Sequence, residues 1–327
     1  MIGNGKIVVL MLGGARRVSM GELLIDSGNR LGYDVEIYSY ELEECVPIAT
    51  IGTVIIGRKW RDADVVEHLV ETVKRLGVNI ILPFVDGAIA VASECKRLLP
   101  DVFIPVSEED IATAMFDKAL AAKLFAEKDI AIPSTYSFDD CRFPAIAKPR
   151  LGSASKGIKV IYDAHDLMQL QNPAEYLIQE YIAHREEYTV DCYVSKEKKT
   201  MCVVPRLRID IAGGEVTRTK TSKSTSLIDM SRKVLDKIPF EGPVTLQFLH
   251  NLDNDEFMLM EINPRLGGGV VCSIHAGAPI ADYIINEYLG NDIKECDDWK
   301  ENTLMTRYQK EVIFYEALSN HHSRGRS

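Results

Sequence analysis

Short apolar runs alternate with amphipathic stretches through the first hundred residues. Residues 7–12 are wholly apolar, Gly13-Gly14 follow, and apolar positions at helical spacing run from 19 to 31 before Gly32. Residues 34–40 read as a second strand, 54–56 as a third, and 63–76 as a helix stopped by Gly77. A strand at 79–83, a helix at 86–98 and a strand at 102–106 continue the series. Strands alternating with helices of this length predict βαβ units around a parallel sheet. An unbroken run such as Ile80-Ile81-Leu82 predicts a strand covered on both faces.

Near residue 107 the pattern changes. Helices are predicted over 108–115 and 117–128, closed by 130–133. A strand over 144–149 enters a small-residue loop at 150–157 and returns over 159–162, before a helix at 164–171 and a strand at 176–181. From 187 strands predominate: 188–194, 200–204, 206–211 and 215–219, then a helix at 228–237, strands at 243–250 and 256–262, and a helix at 281–289 ended by Gly290. The predicted class is α/β (α+β). An N-terminal parallel-sheet βαβ domain over 1–107 precedes two α+β subdomains, 108–182 and 183–318. The polar stretch 319–327 is expected to be a disordered tail.

Composition narrows the function classes. The 327 residues are 46% hydrophobic and 26% charged, which is ordinary for a globular chain. The 38 basic and 48 acidic residues give −10, which argues against a nucleic-acid or anionic-membrane surface. Seven cysteines without a C-x-x-C pair suit reduced thiols in a cytoplasmic protein. The N-terminal apolar run is too short to span a bilayer and lacks a signal-peptide cleavage pattern.

The strongest chemical signal is Met260-Glu261-Ile262-Asn263-Pro264-Arg265, followed by Gly267, Gly268 and Gly269. Side chains two apart on a strand share a face, so Glu261 and Asn263 can aim oxygen atoms at one point. Hard cations such as Mg²⁺ want oxygen ligands and usually take one or two protein groups plus substrate phosphates. Arg265 adds a planar cationic fork. The second signal is Lys148 at a strand end, followed by Gly152-Ser153-Ala154-Ser155-Lys156-Gly157. Glycines admit close backbone approach, and successive N–H groups with hydroxyls form a concavity for phosphate. It is not a Walker A loop.

A third segment, Gln179-Glu180-Tyr181-Ile182 followed by Glu187, places a strand break where backbone groups could meet an adenine edge. Taken alone it is an amphipathic strand pair. Arg206 and Arg208 share a strand face, and the stretch 217–223, with Lys220 at its centre, is basic and hydroxyl-rich. These residues either meet a γ-phosphate and an acceptor carboxylate or form a solvated edge strand and turn. Gly13-Gly14-Ala15-Arg16-Arg17 fails the G-x-G-x-x-G fingerprint, which disfavours a nicotinamide site; Arg16 and Asp86 instead read as facing an acceptor substrate.

In order along the chain these pieces are Lys118, Lys148 with its loop, the Gln179 strand, Glu187, Gln247, then Glu261-x-Asn263-Pro-Arg265. That order resembles the ATP-grasp superfamily, in particular the ATP-binding modules of the carbamoyl-phosphate synthase large subunit, over roughly residues 1–290. The resemblance implies an ATP-grasp fold after the N-terminal domain, and ATP with Mg²⁺ (or Mn²⁺) as cofactors. By it, Lys118 and Lys148 contact ATP phosphates. The Gly152–Gly157 loop, with Ser153, Ser155 and Lys156, closes over the β- and γ-phosphates. Gln179, Glu180 and Ile182 line the adenine pocket, and Glu187 holds ribose. Gln247, Glu261 and Asn263 carry the metal, and Arg265, with Arg206 and Lys220, serves catalysis. Many relatives have an acidic residue at the Gln247 position, so the metal site here is weaker in charge. The implied activity is a carboxylate–amine ligase acting through an acylphosphate on small-molecule substrates, with no nucleic acid or membrane partner and room for a homodimer. The alternatives are carbamoyl-phosphate synthase-like activation of bicarbonate or carbamate, and a non-catalytic ATP-binding subunit.

Overall fold

The computed structural model describes residues 5–152 and 156–315. The first unit is built from β1 (Lys6–Leu12), α1 (Val18–Arg30), β2 (Asp34–Glu41), β3 (Thr53–Ile56), α2 (Val65–Leu76), β4 (Ile80–Pro83) and α3 (Asp86–Leu98). Its strands are all parallel, in the order β3-β2-β1-β4. Alternate residues of β1 enter different cores, as the two-residue repeat of a strand requires. Ile7, Val9 and Met11 pack with Met20 and Leu24 of α1, whereas Val8, Leu10 and Leu12 pack with Leu69 of α2 and Ala88 of α3. Two-sided burial is why this strand reads as an uninterrupted apolar run. The strand expected at 102–106 contributes only an isolated bridge, Phe103 to Ile80. Pro105 lies in that stretch and has no N–H to extend a ladder.

The second group comprises α4 (Glu109–Phe116), α5 (Lys118–Glu127), β5 (Thr135–Tyr136), β6 (Ala145–Pro149), β7 (Lys159–Ile161), α6 (Ala164–Met168) and β8 (Tyr176–Glu180). Its four strands form an antiparallel sheet in the order β5-β8-β6-β7. Ala145, Ala147, Ile161 and Ile178 pack with Leu167 of α6 on one face. The intervening residues Ile146, Lys148, Val160 and Leu177 are left for the other.

The remaining elements are β9 (Arg185–Val194), β10 (Thr200–Ala212), β11 (Glu215–Thr221), α7 (Thr225–Lys237), β12 (Gly242–Asn251), β13 (Glu256–Asn263), α8 (Val270–His275), α9 (Ile280–Tyr288) and β14 (Leu304–Thr306). Six of them form an antiparallel sheet in the order β13-β12-β9-β10-β11-β14. Val190, Cys192, Val244 and Leu246 bury one face beneath Val234 and Leu235 of α7 and Phe125 of α5. The register puts Thr189 opposite Gln247 and Asp191 opposite Thr245 on the other, polar face.

Three sequence expectations change here. The separate strands at 200–204 and 206–211 are one strand, β10. Pro205 is tolerated because the β11 ladder begins only at Arg206, and its carbonyl accepts from Ser222 N–H at 2.9 Å. Helix α7 starts at Thr225 because the Ser224 side chain caps the Leu227 N–H. Helix α6 stops at Met168, three residues short of the expected end.

The first sheet is fastened to the rest through residues 105–107. The Ser93 hydroxyl donates to Ser107 O at 2.9 Å, and Glu241 N–H donates to the Ser107 hydroxyl at 3.2 Å. Gly242 follows with φ +75°, and a Cβ there would collide with the Pro105 carbonyl. Among the described residues no helix is long and apolar enough to cross a membrane. All seven cysteines are free thiols. The stretch expected to be a tail, 319–327, lies outside the described residues.

Candidate active site

The polar face of the six-stranded sheet and the open face of the four-stranded sheet enclose a cleft of about 320 Å³, the size of a small-molecule site. From the smaller sheet, Ile146, Lys148, Val160 and Leu177 line it, with Gly152 and Lys156 from the loop between β6 and β7. The larger sheet contributes Glu187, Arg208, Gln247, Leu249, Met260 and Glu261. The lining is thus part apolar and part charged, which suits a planar heterocycle carrying an anionic chain.

Each side chain has a local reason for its position. Asp117 caps α5 by accepting from the N–H groups of Ala119 and Leu120, which sets Lys118 at the first turn. Lys118 Nζ then donates to Gly152 O at 2.7 Å, tying the helix to the loop. Asp117 also holds Arg150, with Oδ2 2.6 Å from Nη2, so that arginine is taken up in fixing the loop's base. Gly152, at φ +123°, and Gly157, at φ +75°, both adopt backbone conformations closed to most residues. Ser153 and Ser155 lie outside the described residues.

Lys148 is only 6% exposed, and its Nζ donates to Gln179 Oε1 at 3.0 Å. Burial pushes its ammonium down to about 8, only partly offset by Glu261 and Glu187. Gln179 is itself buried and donates to Pro133 O, so it positions Lys148 from behind and does not line the cleft. Glu180 and Ile182 do line it. In the connector expected to offer free backbone groups, Tyr181 N–H is taken by Pro144 O and Ile182 O accepts from Arg185 Nη1 at 2.6 Å.

The three residues expected to hold a metal, Gln247, Glu261 and Asn263, lie on the neighbouring strands β12 and β13. Gln247 pairs in register with Glu261, and Thr245 with Asn263. A register shift between Gln247 and Phe248 inserts an extra residue in β13, so Met260 and Glu261 both reach the cleft. Asn263 Nδ2 donates to Glu261 Oε1 at 2.9 Å. Half a turn of that amide would present its oxygen beside the carboxylate. One carboxylate and two amides make a weak cation site by themselves. Among the described residues no group of three or more His, Cys, Asp or Glu is placed to hold a metal. The donor set fits a magnesium ion only if phosphate oxygens complete its shell.

Two expected catalytic cations are placed elsewhere. Arg206 is fully buried, with Nε 2.7 Å from Asp191 Oδ2 and Nη1 3.0 Å from Thr219 Oγ1. It cannot meet a phosphate in this geometry. Lys220 pairs with Leu207 between Arg206 and Arg208. Since Thr219 is the residue that meets Arg206, strand alternation turns Lys220 to the opposite face. The cation that does reach the cleft is Arg208. Its Nε is buried without a hydrogen-bond partner and sits 3.5 Å from Glu187 Oε2. Burial lowers its affinity for its proton. Arg185, whose guanidinium stacks over Tyr181 at 5.3 Å, is a second lining cation that sequence reasoning passed over. Arg265 does not point freely into the cleft: Nε and Nη2 bind Asp86 Oδ1 at 2.7 and 2.6 Å. Ser273 and Cys272 are buried in α8.

Comparison with known proteins agrees with the fold. Residues 172–311 match the family model described as ATP-grasp in the biosynthetic pathway with Ter operon. The chain carries the ATP-grasp fold, as the order of its motifs led us to expect. Over 260 residues it is 23% identical to the carbamoyl phosphate synthase large chain of Methanobrevibacter smithii, covering 70% of this chain and 25% of the relative. It thus spans about a quarter of that protein's length. Among solved structures, the biotin carboxylase domain dimer of Hydrogenobacter thermophilus 2-oxoglutarate carboxylase, in complex with MgADP, ADP and bicarbonate, superposes with a TM-score of 0.74 at 15% identity. That match covers 91% of this chain and 73% of the other. N5-carboxyaminoimidazole synthetase of Staphylococcus aureus, complexed with ADP, gives 0.72 at 16% identity, covering 89% and 79%.

Proposed function

We propose that the cleft binds ATP with magnesium and that the protein activates a carboxylate as an acylphosphate for attack by an amine, releasing ADP and phosphate. The observation that carries this reading is the convergence of Lys118, Lys148, Gln247 and Glu261, from four separate elements, on one cleft that apolar side chains also line. Ile146, Val160, Leu177 and Leu249 supply flat apolar contact for adenine, Glu180 and Ile182 its edge, and Glu187 a carboxylate for ribose hydroxyls. Lys118, Lys148, Lys156 and Arg208 provide positive charge for the phosphates, with Gly152 and Gly157 allowing the loop to approach them. A magnesium ion held by Gln247, Glu261 and Asn263 would neutralise charge on the transferring phosphoryl group. Arg265, already 3.4 Å from Asn263 Oδ1 through Nη2, would draw the phosphoryl or acylphosphate oxygens towards that same point. Catalysis by positioning and charge neutralisation needs no conspicuous general base.

Hydroxylamine trapping tests the reaction. The protein is incubated with MgATP, hydroxylamine and a panel of small carboxylates. At least one member is expected to give its hydroxamate in equal amount to ADP. Formation of AMP and pyrophosphate, or ADP release that no carboxylate stimulates, rules the proposal out.

The low proton affinity of Lys148 gives a second check. In the nucleotide-free protein its charge is lost as pH rises through about 8. Phosphates beside it stabilise the charged form, so binding takes up a proton and must weaken as pH rises. ATP affinity is expected to fall about tenfold per pH unit above 8 until the bound-state value is reached. Calorimetric titration from pH 7 to 9.5 checks this, and Lys148→Met should flatten the profile. ATP affinity unchanged in Lys148→Met at pH 7 removes Lys148 from the phosphate contact.

A further inference from the structure

In the first sheet, β1 and β4 mark the place where strand order reverses. Open α/β sheets bind ligands in the crevice beyond the strand ends at such a point. Here the loop after β1 carries Arg17 and the segment after β4 carries Asp86. Asp86 reaches across to the turn that follows β13, and Arg17 to the first residue of β11, beside Gly268 of that turn. Asp86 takes Arg265, whereas Arg17 meets Glu215 in a two-bond pair, Nη1–Oε2 3.2 Å and Nη2–Oε1 2.7 Å. A second guanidinium, Arg307, binds the same carboxylate at 2.6 Å and also donates to Gly268 O.

The glycine triplet gives these groups their room. A Cβ at Gly268 would lie 3.2 Å from Arg17 Nη1 and 3.6 Å from Arg307 Nη2. The junction is half open, with side-chain exposures of 18% for Arg17, 42% for Glu215 and 32% for Arg307. Two cations share one anion there, which leaves a net positive charge. Although burial works the other way, Arg17 and Arg307 hold the Glu215 carboxyl down at about 2, so it stays ionised at working pH.

We infer that Arg17 and Arg307 form an anion subsite for the acceptor amine, which therefore carries a carboxylate of its own, and that Glu215 occupies that subsite until the acceptor displaces it. The inference rests on the ligase reading above and adds the substrate class: amines of the amino-acid type. Arg265, paired with Asp86, sits on the turn that also carries Gly268, only a few residues along the chain from the proposed metal ligands Glu261 and Asn263. An amine anchored by its carboxylate at the glycine triplet is thereby directed towards the phosphoryl-transfer end of the cleft.

Calorimetric titration of the full chain, with a non-hydrolysable ATP analogue and magnesium present, reads the subsite without needing turnover. The probes are α-amino acids, the corresponding amino-acid amides, and phosphoethanolamine. At least one amino acid is expected to bind at least tenfold more tightly than its amide and more tightly than phosphoethanolamine. Arg307→Gln should weaken that amino acid at least tenfold while leaving affinity for the ATP analogue unchanged. Glu215→Gln should strengthen it severalfold, because the competing charge is gone; a mere interdomain latch would instead lose affinity in both variants. Amides binding as well as acids, phosphoethanolamine binding best, or Glu215→Gln weakening binding as Arg307→Gln does, each overturns the inference. A protein that binds the ATP analogue but no amino acid overturns it while leaving the nucleotide site intact. If amino acids bind as expected and the ATP analogue does not, the reading of the nucleotide cleft fails and the anion subsite stands.

Discussion

Replacing Glu261 by Gln is expected to lower MgATP-dependent ADP release by about a thousandfold, which corresponds to about 4 kcal/mol of transition-state stabilisation. Glu261 is the only carboxylate of the proposed metal set. Gln247, opposite it in register, and Asn263, two residues on, are both neutral amides. A divalent ion held by three amides and phosphates has lost its one fixed anion, and neither neighbour can replace it. The fold should survive, because Glu261 is half-buried and, among the described residues, its side chain accepts a hydrogen bond only from Asn263 Nδ2, which a glutamine oxygen can still accept. The same variant carries an internal control. Glu261 supports the charge on Lys148, so its loss should move the fall in ATP affinity to lower pH. A steady-state assay, a melting curve and a pH series suffice. Turnover within threefold of the parent protein would remove Glu261 from the metal site.

The sequence made some parts of this molecule legible and hid others for physical reasons. The first sheet was readable because β1 and β4 are covered on both sides, so every position is apolar and the strands stand out. Glu261 and Asn263 were readable as a pair because convergence needs only the local two-residue repeat. Lys148 was readable for the same reason, as an odd polar residue in an apolar strand. What failed depended on pairing between strands. Arg206 and Arg208 look equivalent along β10. They part only because Asp191 on β9 and Thr219 on β11 close around Arg206, while Arg208 opens on Glu187. Lys220 was misplaced by a single residue of register, which is enough to turn a side chain to the other face. Helix α8 and strand β14 were too short to leave a periodic signal. The Arg17–Glu215 pair joins residues 198 positions apart, and no local pattern reports such a contact.

Arg206→Met is expected to destabilise the protein by about 3–5 kcal/mol, the cost of leaving a buried carboxylate without its cation. Asp191 sits at 1% exposure and accepts from Arg206 through both oxygens, at 2.7 and 3.1 Å. The Ser273 hydroxyl, 2.5 Å from Oδ2, is its other partner and carries no charge. This cluster also underlies the glycine triplet. A Cβ at Gly267 would lie 3.1 Å from Asp191 Oδ1, and one at Gly269 would lie 2.5 Å from Arg206 Nη1. The glycines are thus packed directly on a buried ion pair, and loosening the pair should loosen the turn that carries Arg265. Asp191→Leu should destabilise comparably, because it strands the guanidinium instead. Removing both charges together, as Arg206→Met with Asp191→Leu, should recover much of the loss, since an apolar pair of similar volume avoids the desolvation cost. Melting temperatures of the four proteins close the cycle, and nucleotide affinity of the folded fraction should be nearly the same in all of them. If Arg206→Met kept its stability but lost turnover, the arginine would belong to the chemistry after all, and the buried pair would have to open when substrate binds.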